Sequence, residues 1–241
     1  MGAYAIMGGR VRLADVPGCP RAGADAVLLA AAVAADADEV VAEAGAGSGA
    51  AALCLARRAG CRVDGIELQR DLAAVGTGNA TLNSLDARVR IIEGDIGDPP
   101  APFDTTTYDH AMANPPYFEL GRSQPSPVPA RALSHHRADG DLVVWLNFLV
   151  HRVRSGGTIT MIARAAQIDA ILEPLRGDMG AIVLFPLWPV EGQAAKLLIV
   201  RARKGSAAPL TMAAGLVLHT ADGAYTDGAD AVLRDGAGLV L

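Results

Sequence analysis

The chain has 241 residues, 51% of them apolar, which is enough for one large domain with a full core and requires no second catalytic domain. Its longest aliphatic stretch, 26–35, is bounded by Asp25 and Asp36 and falls far short of the roughly 20 residues that span a bilayer, so a helical membrane anchor is excluded. A net charge of -5 argues mildly against a nucleic-acid partner, though a global balance does not exclude a local basic patch.

In chain order, residues 1–22 read as an irregular lead-in carrying Arg10, Arg12 and Arg21, and 25–35 as a helix packed under a sheet. The N-terminus has no basic region followed by an apolar run and a small-residue cleavage site, which predicts that the chain is not exported. Cys19, Cys54 and Cys61 are odd in number and lack Cys-x-x-Cys spacing. They read as reduced core thiols of a cytoplasmic protein. From residue 40, strand and helix alternate over 40–44, 49–59, 61–66, 70–83, 88–92 and 108–113, with a Pro- and Thr-rich loop at 97–106.

The first of these strands runs into Gly45-Ala46-Gly47-Ser48-Gly49 and a helix, an order that lets a cofactor approach the backbone at a helix N-terminus. The second ends in Glu67, about 20 residues beyond the glycines, where an acid can bind a ribose diol. The third is followed by Glu93-Gly94-Asp95, and the fourth by Asn114-Pro115-Pro116-Tyr117. Four segments thus end in polar residues on what should be one edge of a parallel sheet. The segment 118–137, with Pro125, Pro127 and Pro129 and no sustained period, is a candidate substrate lid. A helix at 141–154, Gly156-Gly157 and a strand at 158–163 complete the fifth unit. Strands at 182–187 and 196–202 around the turn-rich 188–195 suggest a closing hairpin, which would insert the last strand antiparallel.

The Asn114 loop carries the most chemical information. Two prolines cannot continue a hydrogen-bond ladder, so the tetrapeptide reads as a rigid loop at a sheet edge. The Asn114 carboxamide oxygen and the Pro115 carbonyl can accept hydrogens from one amino group while Tyr117 stacks on the ring that bears it. A glycine-rich turn alone also occurs in dinucleotide oxidoreductases, but a hydride-transfer site has no use for this tetrapeptide. Asp25 is either a helix N-cap or a cofactor contact, and Asp95 either a turn residue or a contact to an adenine amine. His135 and His136 read as solvated loop residues, and their spacing from other ligands gives no metal site. Trp188 and Tyr225 read as packing residues. Arg201, Arg203 and Lys204 read as a charged strand end, with phosphate contact as the alternative. Segment 119–164 holds Arg122, Arg131, Arg137, Arg152, Arg154 and Arg164 against Glu119, Asp139 and Asp141, a local basic surplus in an acidic chain.

Glu43-x-Gly45-x-Gly47-x-Gly49, Glu67, Asp95 and Asn114-Pro115-Pro116-Tyr117 resemble the ordered motifs of class I S-adenosylmethionine-dependent methyltransferases. The last motif is similar to that of the branch that methylates planar amines. With residues 23–29 and the tail 215–219, the chain over its whole length resembles the bacterial tRNA(Val) adenine-N6-methyltransferase family. It departs at Glu43, where the family usually has Asp, and at Ala24, where relatives often have a hydroxyl or larger side chain.

The resemblance implies a doubly wound, mostly parallel seven-stranded Rossmann-like α/β sheet with an antiparallel last strand. It implies S-adenosylmethionine held by Asp25, Glu43, Gly45, Gly47, Gly49, Glu67, Asp95 and Asn114, and no metal. Catalysis falls to Asn114, Pro115 and Tyr117, and substrate contact to Pro116, Tyr117, Arg122, Arg131 and Arg137. The implied partner is a tRNA or other structured RNA offering an unstacked base. Rival readings are methylation of a protein glutamine amide or of a small molecule, and a catalytically silent S-adenosylmethionine-binding module. Only about 39 residues precede the first core strand, too few for the separate helical domain of the glutamine methyltransferases. Asn114 with Tyr117 would be superfluous in a silent module.

Overall fold

The computed structural model describes residues 2–17, 21–116 and 142–241. Cys19, Tyr117, the 118–137 segment with Arg122, Arg131 and Arg137, and His135 and His136 lie outside the described residues.

In place of an irregular lead-in, the chain opens with an antiparallel ribbon, β1 (Ala3–Ile6) and β2 (Val11–Ala14). Val11 and Leu13 are fully buried and Arg12 between them is exposed, a period of two that lasts only four residues. The intervening Met7, Gly8 and Gly9 all have positive φ. Helix α1 (Ala24–Ala32) is capped by Gly23, so Asp25 is not the N-cap and sits in the first turn instead. Among the described residues no helix is long and apolar enough to cross a membrane.

The alternating units then follow the sequence closely: β3 (Val40–Ala44), α2 (Ala50–Ala59), β4 (Arg62–Glu67), α3 (Arg70–Leu82), β5 (Val89–Glu93) and β6 (Tyr108–Ala113). Helix α2 is built mostly from Ala and Leu, the strongest helix formers, and stops at Gly60, whose φ of 74° lets its N–H return to the Ala56 carbonyl. Val41, Ala42, Ala44, Val63 and Ile66 are fully buried on both faces of their strands, as a covered parallel sheet requires.

Beyond the undescribed segment, α4 (Leu142–Arg152) runs directly into β7 (Val153–Arg164). Then come α5 (Ile168–Leu175), β8 (Met179–Val190) and β9 (Leu197–Lys204). The sheet order is β5-β4-β3-β6-β7-β9-β8, parallel throughout except for β9, which pairs antiparallel with both neighbours. Two short strands that the sequence did not disclose, β10 (Thr211–Met212) and β11 (Leu216–His219), add in parallel to the outer edge of β8. Among the described residues the sheet therefore has nine strands: the seven expected, with β9, the last of the seven in the chain, antiparallel as expected, and these two short additions. The additions cover an edge that would otherwise expose unpaired backbone groups. Helix α6 (Asp227–Leu233) follows, and the chain end is tied back by Leu239 N–H to the Ala31 carbonyl at 2.8 Å and by Arg201 to the Leu241 carbonyl at 2.5 Å.

Two apolar clusters flank the sheet. One joins α1, α2, α6 and the ribbon through residues such as Leu13, Leu29 and Leu53, and the other joins α4 and α5 through Tyr108, Leu149 and Ile171. Cys54 and Cys61 are free and fully buried, and burial raises their thiols to about 12 and about 11, which keeps them protonated.

Candidate active site

The order of the strands reverses between β3 and β6, the point at which doubly wound sheets open a crevice beyond their carboxyl ends. Ala44 and Ala113 are register partners, so Gly45 and Asn114 leave neighbouring strands side by side. On the other side of β3, Glu67 closes β4 in register with Glu93, and the Gly94 N–H bonds the Glu67 carbonyl at 2.9 Å, leading to Asp95. Asp95, Glu67, the glycine loop and Asn114 thus follow one another along a single edge. Pro115 is buried, and Asn114 and Pro116 are half-buried.

The loop from Gly45 to Gly49 is held from several sides. Gly45 and Gly47 have φ of +63° and +56°, a region that disfavours any side chain. A Cβ on Gly45 would lie 2.3 Å from Cη2 of Trp145, whereas a Cβ on Gly47 would meet nothing within 4 Å, so the loop is open at its middle. The Ala46 N–H reaches the Ile66 carbonyl at 3.0 Å. Glu67 accepts the Gly47 N–H through Oε2 at 2.8 Å and the Gln69 N–H through Oε1 at 2.9 Å, leaving acceptor capacity on both oxygens. From α3, the Asn79 amide donates to the Ser48 carbonyl at 2.9 Å and accepts the Ala14 N–H at 2.9 Å. The N-terminal ribbon is thereby stitched to the loop through one buried side chain.

The electrostatics are unusual at Glu43. It is 3% exposed, and its Oε2 has no hydrogen-bond partner among the described residues. Burial, opposed by the Ala52 N–H and reinforced by the nearby Glu67, raises its carboxyl to about 8. Burial also raises Glu67, against the N–H groups of Gln69, Gly47 and Leu68 that favour its charged form. Asp95 accepts the Gly97 N–H at 2.9 Å, the bond of a turn, and remains half-buried at the site's margin. Both alternatives for Asp95 are therefore compatible.

Other basic candidates lie elsewhere. Arg203 donates to the Gly156 carbonyl at 2.6 Å, and Lys204 to the Val150 and Val153 carbonyls at 2.7 and 3.0 Å, all at the amino-end edge of the parallel strands. Arg201 is likewise bound to the chain end, so each of the three has a structural partner, as a charged strand end implies. Trp188 donates to the Ala214 carbonyl at 3.0 Å, and Tyr225 stacks on His219 with ring centroids 4.9 Å apart, both as packing residues. Among the described residues no group of three or more His, Cys, Asp or Glu side chains could hold a metal ion. Sequence reasoning missed Asn79 and Trp145. The only signal for Asn79 was a polar residue on the apolar side of a helix, and nothing local marked Trp145.

No family model matches the chain. It is 31% identical over 179 residues to the tRNA1(Val) (adenine(37)-N6)-methyltransferase of Aeromonas hydrophila, covering 73% of this chain and 72% of the relative. The enzyme of the same name from Shewanella amazonensis is 27% identical over 212 residues, covering 88% and 89%. Among solved structures, a protein of Agrobacterium tumefaciens described as a predicted O-methyltransferase superposes with a TM-score of 0.74 at 26% identity, over 89% of this chain and 98% of that one. The glycine loop at the switch point, the strand order and these similarities lead to one assignment: the chain belongs to the family of the tRNA1(Val) (adenine(37)-N6)-methyltransferases and is a class I S-adenosylmethionine-dependent methyltransferase.

Proposed function

We propose that the protein methylates the exocyclic N6 of an adenine in a tRNA. The observation that carries this reading is the register of Ala44 with Ala113, which starts the Asn114-Pro115-Pro116 loop beside the glycine loop, where an acceptor amine and a methyl donor would meet. The relatives' shared name, with its tRNA adenine, supports the same substrate class.

The residues fit the cofactor. An orphaned buried carboxyl oxygen on Glu43 suits an ammonium group, whose charge would favour the ionised form, the open middle of the glycine loop admits a ligand to the backbone, and Glu67 retains lone pairs for ribose hydroxyls. Bound S-adenosylmethionine supplies an electrophilic methyl on a sulfonium, so a C–N bond forms as the C–S bond breaks, giving the N-methyl base, S-adenosylhomocysteine and a proton.

The chain's own part is orientation and charge stabilisation. An exocyclic amine is a poor nucleophile because its lone pair is delocalised into the ring. Asn114 Oδ1 and the Pro115 carbonyl would accept its two hydrogens, align the nitrogen for attack and stabilise the positive charge that grows on it. The alkylated nitrogen is then acidic enough to lose its proton to water, and no dedicated base is required. Tyr117 would hold the base by stacking, and Arg122, Arg131 and Arg137 would meet phosphates of the flanking strand. An adenine in a loop reaches such a pocket at low unstacking cost.

Incubating the protein with labelled S-adenosylmethionine and, separately, total tRNA, ribosomal RNA and protein extract from a strain lacking the gene tests the substrate class. Label is expected in tRNA. Label confined to protein would transfer the reading to a glutamine amide.

A further inference from the structure

The ring of Trp145 lies directly on the Cα of Gly45. A Cβ built there would be 2.3 Å from Cη2 and 2.6 Å from Cζ3, so the indole covers the first peptide beyond β3 and only glycine can sit beneath it. Its neighbour Val144 faces the Asp95 turn, with Cγ1 3.9 Å from where a Gly97 Cβ would be. The first turn of α4 therefore spans the edge from the Asp95 turn to the glycine loop. Residues further along the helix, Leu146, Leu149 and Val150, are buried in the cluster below, and Trp145 packs against that cluster while staying half-buried. The indole thus joins the cluster to the glycine loop at the switch point and leaves part of its surface uncovered there.

Which end of a donor it would meet follows from its surroundings. Gly45 is two residues from Glu43, whose unpartnered buried oxygen suits an ammonium, and it adjoins Asn114, where the methyl must be presented. The nucleoside end belongs farther along the edge, toward Glu67 and Asp95. An indole at the ammonium and sulfonium end offers both apolar cover and an electron-rich ring to a cation.

We propose that Trp145 is a binding residue for the methyl donor, walling its amino-acid and sulfonium end over Gly45. The proposal rests on the donor site described above. The sequence has two tryptophans, so Trp188→Phe, at a packing position, leaves Trp145 as the sole indole reporter. In that protein, S-adenosylmethionine and S-adenosylhomocysteine should change Trp145 emission saturably, with midpoints equal to the dissociation constants measured by calorimetry. Methylthioadenosine, which lacks the amino-acid arm, should change it far less at concentrations that displace the donor.

Trp145→Ala in the otherwise native chain should weaken S-adenosylmethionine about tenfold, with Trp145→Phe restoring most of the loss and the melting temperatures of both recorded alongside. Donor binding in calorimetry with unaltered emission would overturn the proposal and leave the site reading standing. Unaltered affinity in Trp145→Ala would also overturn it. If neither donor nor product binds the well-folded Trp188→Phe protein, the site reading fails as well.

Discussion

At the amino-end edge of the sheet, His110 bridges Glu39 and Thr158, with Nε2 to Glu39 Oε2 at 3.0 Å and Nδ1 to Thr158 Oγ1 at 2.7 Å. Asp109 beside it accepts the Val40 N–H at 2.9 Å and the Arg154 Nε–H at 2.7 Å. Burial opposes its charge, but those two donors hold its carboxyl below the usual carboxylate range. At the carboxyl-end edge, Glu43 on β3 is more deeply buried, keeps one oxygen unpartnered and is raised to about 8. Asp109 and His110 are thus paired at the amino-end edge, where they stabilise the fold. At the other the sheet leaves a carboxyl oxygen of Glu43 unsatisfied, which costs stability and keeps capacity for a cationic ligand that would draw the group into its charged form.

The sharpest way to break this comparison is to remove the chemistry without disturbing the binding. Asn114→Ala should lower the methylation rate constant roughly a hundredfold or more, because its bond to the acceptor amine strengthens as charge develops. Affinity for S-adenosylmethionine, measured by calorimetry, should stay nearly intact. A proportional loss of both would make Asn114 structural.

The next effect is on stability against pH. Glu43 rises from 4.5 to about 8 on folding, so between those values the folded protein keeps a proton that the unfolded chain has lost. Stability from this group is therefore full below the lower value and falls as pH rises toward 8, by at most about 1.4 kcal/mol per pH unit. Glu43→Gln should flatten that fall in denaturant titrations across the window. An identical slope in the variant would show that Glu43 titrates normally.

A smaller effect belongs to the paired edge. Thr158→Val leaves a His110 nitrogen unpaired in a buried site and should cost about 1–3 kcal/mol of stability. Donor affinity and the methylation rate should not move, since the change lies at the far end of the strands from Asn114. Weakened donor binding in a well-folded Thr158→Val protein would mean that the two edges are coupled.

What the sequence made legible follows the same division. The core strands and the glycine loop were readable because short, largely apolar runs of strand length end in polar residues and glycines, a pattern that strand-to-turn transitions impose locally. Asn114 was readable because two prolines cannot sit inside a ladder. The ribbon β1–β2 was not, since its alternation lasts four residues and ends in two glycines, nor were β10 and β11, which are strands only because β8 offers an edge. Asn79 and Trp145 escaped for a different reason. Their partners, Ala14, Ser48 and Gly45, are 31 to 100 residues away in the chain, a proximity only the fold creates. Glu43 was seen as a motif residue, but its raised carboxyl depends on burial that sequence does not measure.

Nucleoside analysis by mass spectrometry, on tRNA from a strain lacking the gene after incubation with S-adenosylmethionine and either the native protein or Asn114→Ala, tests the central claim most directly. The account predicts N6-methyladenosine with the native protein and little or none with the variant in the same time. Methyl groups on ribose hydroxyls, or equal N6-methyladenosine from both proteins, would contradict it.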